Sequence, residues 1–208
     1  MAPRVKILIT GFSSFPGVPI NPCEEVLQWI ETTYARTDIV ICLLPVSFSR
    51  SAQILADYIR EVSPAAVIEL GVSSRTADVR LESTGYNART ANIPDVDGIH
   101  CITQVIDKTV PYDFGKRTSW PLDELSKHLQ ENSKIDVVIS VDPGRYVCNS
   151  LYWETLHRFP KIPSIFVHIP PIDDTNRSPV IQTIGVLVDW TLKLNRLSRS
   201  PRSPSNQA

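Results

Sequence analysis

Short, largely apolar runs, each followed by a helical pattern, constrain this chain more than any other feature. Lys6–Thr10 (KILIT), Ile39–Leu44, Ala66–Leu70, Val137–Val141 and Ser164–Ile169 are strand-sized. Runs of this kind are buried on both faces, as in parallel sheets. The intervening stretches Cys23–Thr33, Ser49–Glu61, Pro121–Gln130, Asn149–Arg158 and Val180–Leu197 read as helices. Leu122, Leu125 and Leu129, for example, recur three and four apart and share one face. Strand alternating with helix predicts βαβ units and a mostly parallel sheet covered on both faces. Residues 75–120 are rich in turn formers and yield no regular element.

At 208 residues the chain is long enough for one such domain with a sizeable core. That domain is expected over residues 1–197. The tail from Ser198, SRSPRSPSNQA, lacks apolar residues and is expected to be disordered. A formal net charge of −1 gives no reason to expect nucleic acid or an anionic membrane surface as partner. No apolar run approaches the ~20 residues of a membrane helix, and MAPRVKILIT has too short an apolar core for a signal peptide. The expected location is therefore cytoplasmic. Cys23, Cys42, Cys101 and Cys148 show no CxxC spacing, so neither a disulfide framework nor a zinc site is expected.

In open α/β sheets, sites gather beyond the carboxyl ends of the strands. Here that rule selects Gly11–Phe15, Gly71–Arg75, the segment DPGRYVCNS ending near Cys148, and His168. A cysteine at a helix start meets unpaired N–H groups and the positive end of the helix dipole, which favour thiolate. The same N–H groups suit an oxyanion, and a nearby histidine would serve as general base. Cys148 and His168 each also fit as ordinary core residues. His157 lies nine residues past Cys148 on the same predicted helix, more than two turns away at ~1.5 Å per residue.

The ordered series GFSSFPG, Asn21-Pro22, LLPVSF, IELGVSSR, RLESTGYN, GRYVCN and FVHIPP, over roughly residues 5–172, resembles the pyroglutamyl peptidase I (pyrrolidone carboxyl peptidase) family. The resemblance implies a three-layer α/β/α sandwich around a twisted, mostly parallel mixed sheet. It implies a cysteine omega-peptidase that removes amino-terminal pyroglutamate from small peptides without metal or other cofactor. It assigns Cys148 as nucleophile, His168 as general base and Glu82 as the acid orienting the histidine. Without it, nothing favours Glu82 over Glu69 or Asp142, and Glu82 reads as a solvated loop carboxylate. It assigns Phe12 and Phe15 to the sandwich around the lactam ring, and Ile93, Tyr146 and Val147 to other wall positions.

Three departures stand out. Pro143 replaces the alanine common before the glycine of the cysteine motif. Asn92 precedes Ile93-Pro94-Asp95 where bacterial members commonly carry arginine, and Val72 stands where they often have glutamine. Two rival functions follow: a catalytically weak homologue that binds peptides or proteins, and a nucleotide-binding α/β protein. Against the second, neither GxGxxG nor GxxxxGK[ST] occurs.

Overall fold

A computed structural model describes residues 6–15, 20–35, 38–74 and 76–197. The expected disordered tail from Ser198, and Arg75 of the IELGVSSR segment, lie outside the described residues. In chain order the elements are β1 (Ile7–Phe12), α1 (Pro22–Thr33), β2 (Ile39–Leu44), α2 (Ser51–Val62), β3 (Ala66–Val72), β4 (Val79–Glu82), β5 (Thr84–Tyr86), β6 (Gly115–Arg117), α3 (Leu122–Asn132), β7 (Val137–Ser140), α4 (Val147–Arg158), β8 (Ser164–Ile169) and α5 (Arg177–Leu197).

Six strands form one sheet in the order β2-β1-β3-β8-β4-β7. The first four are parallel. β4 then runs antiparallel to β8, and β7 parallel to β4. The sheet is thus the mixed, mostly parallel one expected, but its direction reverses at the β8–β4 boundary. That reversal corrects the argument that Cys148 and His168 meet because both follow strand carboxyl ends. Ser140, at the end of β7, is level with Glu82 and Phe166 in mid-sheet, not with the end of β8. The chain reaches His168 through the loop at residues 141–146 instead.

Successive strand residues point to opposite faces. Ile7, Ile9, Ile68, Leu70, Ile165 and Val167 pack against α1, α3 and α5. Leu8, Leu44, Val67 and Phe166 pack against α2 and α4. The result is helix, sheet, helix in three layers. The start of α1 shows why Asn21-Pro22 follows the first loop. Pro22 sits at a position whose N–H has no helical partner. The Asn21 side chain caps the helix through Cys23 N–H (3.0 Å) and donates back to the Ser13 carbonyl (3.1 Å), fixing the loop that carries Phe12 and Phe15.

One row of paired residues crosses all six strands on the α4 side: Cys42, Thr10, Glu69, Phe166, Glu82 and Ser140. Two carboxyl groups therefore lie in the core. Glu69 is fully buried, and neither of its oxygens has a hydrogen-bond partner. Burial pushes its carboxyl up to about 8, the nearby Thr155 hydroxyl acting in the opposite direction. An unfolded glutamate ionises near ~4.3. Glu69 thus destabilises the fold least below that pH, and the cost grows as pH rises towards 8. A Glu69→Met variant is expected to melt several degrees higher than the parent at pH 8 and by a much smaller margin at pH 5. Thermal melts at the two pH values check this; an equal margin at both would refute it.

Candidate active site

The site is built where β3, β8 and β4 lie side by side. His168 is flanked by Gly71 of β3 and Arg80 of β4. Its Nδ1–H donates to Glu82 Oε1 at 2.8 Å, with the two side chains only 7% and 1% exposed. That contact holds the proton on Nδ1 and leaves Nε2 free to act as a base. Glu82 is therefore no solvated loop residue. It ends a strand, and the Tyr152 hydroxyl of α4 donates to its backbone carbonyl (2.8 Å).

Cys148 is the second residue of α4. Tyr146 caps the helix with extended backbone and no side-chain hydrogen bond, so the amides of Val147, Cys148 and Asn149 stay free of a side-chain cap. The approach to the helix runs through Asp142-Pro143-Gly144, with Gly144 at φ 77°. A proline followed by a positive-φ glycine is the pattern of a type II turn, and Gly144 N–H donates to Asp142 Oδ1 (3.1 Å). Pro143 therefore suits the turn rather than distorting it. The thiol differs from the expectation of an easily formed thiolate. Burial pushes it above its ordinary range, and Cys23 and the Glu82 carboxylate add to the effect. The helix start opposes this, and His168 in the same cavity is placed to take the proton.

Gly71 makes room for the sulfur. A Cβ there would lie 3.1 Å from Cys148 Sγ and 2.7 Å from the Phe166 ring. Gly71→Ala is expected to cost about 1–3 kcal/mol of stability and, by displacing the thiol, about 100-fold in kcat. Denaturant titration and steady-state kinetics would measure the two effects. Unchanged kcat would show that the sulfur is not seated over Gly71.

A cavity of about 310 Å³ opens above these residues, lined by Glu82, Cys148, His168, Arg80, Ile93 and Tyr146 among others. Phe12, Phe15 and Val147 lie in or against the apolar cluster that also holds Tyr146 and Cys148, but they are not part of the cavity lining. Phe12 and Val147 are buried and Phe15 is partly exposed. Asn92, Val72 and Pro143, all three departures, line the cavity as well.

Several residues that organise the site gave no signal in the sequence. Asn149 takes the amide of Tyr86 and donates to the carbonyls of Tyr86 and Ala88, tying the start of α4 to the strand beyond Glu82. Asn87 is buried and makes five side-chain hydrogen bonds across residues 106–111, which order the segment that matched no pattern. Asp95 receives the Phe48 amide at 2.8 Å, joining the Ile93-Pro94-Asp95 wall to the LLPVSF segment. Asn and Asp are common in loops and at helix starts, so only their partners reveal these roles.

The sequence model of the pyroglutamyl peptidase family matches residues 5–184. The pyrrolidone-carboxylate peptidase of Thermococcus litoralis is 33% identical over 175 residues, covering 81% of this chain and 78% of that protein. One from Bacillus cereus is 33% identical over 172 residues, covering 79% and 77%. The solved structure of the Thermococcus litoralis pyrrolidone carboxyl peptidase superimposes with a TM-score of 0.80 at 28% identity, over 94% of this chain and 97% of that one. A Cys, His and Glu brought into one cavity, on a fold shared along nearly the whole chain, leave a single assignment: the chain belongs to the pyroglutamyl peptidase family.

Proposed function

We propose that Cys148, His168 and Glu82 together hydrolyse the amide bond that follows an amino-terminal pyroglutamyl residue in small peptides. The observation that carries this reading is the buried His168–Glu82 hydrogen bond of 2.8 Å in the cavity that Cys148 also lines. His168 Nε2 takes the thiol proton as sulfur attacks the pyroglutamyl carbonyl carbon. The developing oxyanion is held by amides at the start of α4. Nε2 then returns the proton to the departing amine, leaving a thioester. Water, deprotonated by the same nitrogen, attacks that thioester and releases pyroglutamate. Glu82 keeps the imidazole in the reactive tautomer and stabilises the imidazolium.

The lactam ring is small and uncharged, so apolar walls with a few polar groups suit it. Ile93 and Tyr146 supply the cavity side of the pocket, with Phe12, Phe15 and Val147 in the apolar cluster around it. No metal or other cofactor takes part in any step of this reading. The setting is the cytoplasm, where the four cysteines stay reduced. Neither a membrane nor a nucleic acid enters the reaction. No helix among the described residues is long and apolar enough to cross a membrane.

The test is hydrolysis of pyroglutamyl-aminomethylcoumarin beside its prolyl and glutaminyl analogues, with and without iodoacetamide. Selective turnover of the pyroglutamyl compound, lost on alkylation, is expected. Absence of turnover by folded, reduced protein would overturn the reading and favour a homologue that only binds.

A further inference from the structure

We propose that Arg80 forms a carboxylate-binding subsite on the leaving-group side of the cavity, so that the favoured substrates are pyroglutamyl dipeptides bearing a free α-carboxylate. The proposal rests on the peptidase reading above and specifies its substrate class. Arg80 lies in β4 directly opposite His168, and the two share one face of the sheet with Glu82. All three line the cavity together with Cys148.

Most of the charges around Arg80 are engaged elsewhere, although Glu82 Oε2 has no hydrogen-bond partner. Glu82 accepts from His168, and Arg145 is bound to both Asp113 (2.8 Å) and Asp142 (2.7 Å). Arg80 makes no hydrogen bond or ion pair with any described residue, and its Nε is buried without a partner. A guanidinium cannot escape this by losing its proton, and a buried donor left unmade is costly. What completes it is a planar anion with two oxygens, bound through both arms of the fork.

The position identifies the anion. His168 hands its proton to the amine of the residue after pyroglutamate. In a dipeptide, that amine is separated from its own carboxylate by one carbon. An anchor on the strand residue beside His168 is therefore within reach of that carboxylate. Longer peptides and aryl amides have no charge at this point. An acidic side chain on the same residue would present the same group from a different attachment.

The experiment compares kcat/KM for pyroglutamyl-alanine, pyroglutamyl-alanine amide, pyroglutamyl-aspartate diamide and pyroglutamyl-aminomethylcoumarin, with the parent protein, Arg80→Gln and Arg80→Lys. The parent is expected to favour the free acid over its amide by about 10-fold or more. Arg80→Gln should bring that ratio close to one, and Arg80→Lys should keep part of it. A higher rate for the aspartate diamide than for the free acid would assign the subsite to a side chain and overturn the dipeptide preference. Equal ratios in parent and Arg80→Gln would overturn the subsite. So would a uniform fall across all four substrates, which is what a residue that only balances Glu82 would give. Turnover of the coumarin compound tests the peptidase reading separately. If no substrate turns over, thermal melts of Cys148→Ala with pyroglutamyl-alanine or its amide still decide. Greater stabilisation by the acid, lost in Cys148→Ala/Arg80→Gln, supports the subsite, and equal or no stabilisation refutes it.

Discussion

A Cys148→Ala variant is expected to lose turnover of pyroglutamyl substrates by about 10⁴-fold or more, with its melting temperature within a few degrees of the parent. The reasoning is atomic. The thioester needs a sulfur at this point, and the cavity lined by Glu82, His168 and Arg80 holds no other nucleophilic thiol among the described residues. The remaining three cysteines are buried in the core. Cys148 is partly exposed on the cavity lining, so removing its sulfur leaves no enclosed void and the fold has no reason to fail. Rate and melt measured on one preparation separate loss of chemistry from loss of structure. Retained activity in folded protein would move the nucleophile elsewhere.

Glu82→Gln is expected to lower kcat by about 10³–10⁴-fold while KM changes little. Nδ1–H of His168 now donates to a carboxylate; an amide can turn its NH₂ towards the ring and stabilise the opposite tautomer. That tautomer carries the proton on Nε2, where it cannot accept one from the thiol. The loss of negative charge also destabilises the imidazolium formed on attack. A burial-neutral swap thus acts on chemistry rather than binding. A matching rise in KM with kcat preserved would show that Glu82 shapes the pocket instead.

Much of this was legible in the chain itself. Lys6–Thr10 and Ser164–Ile169 announce buried strands because they have almost no polar face to offer. Cys148 and His168 could be singled out because one follows such a strand and the other stands near the end of one. Glu82 could not. Its strand spans four residues between turns, in a stretch where Gly, Asn and Pro outweigh any periodicity. The family resemblance, not the local pattern, selected it. The direction of β4 was equally hidden, since antiparallel pairing with β8 is a long-range choice that leaves no local mark. The same holds for Asn87 and Asn149. An asparagine looks identical in the sequence whether it faces water or buried backbone partners.

The reversal of direction at β8 has a consequence for the order in which the chain can be completed during synthesis. Residues up to Val72 supply β2, β1 and β3, and residues 79–140 supply β4 and β7. Each group has an open edge, and only β8, emerging near the end, fits between them. Until Ser164–Ile169 arrives, both edges present unpaired backbone groups, the template for aggregation. The same late strand brings His168 to Glu82. On the proposed reading, a nascent chain halted before it holds Cys148 without its base, so the thiol would be armed by the final act of closing the sheet.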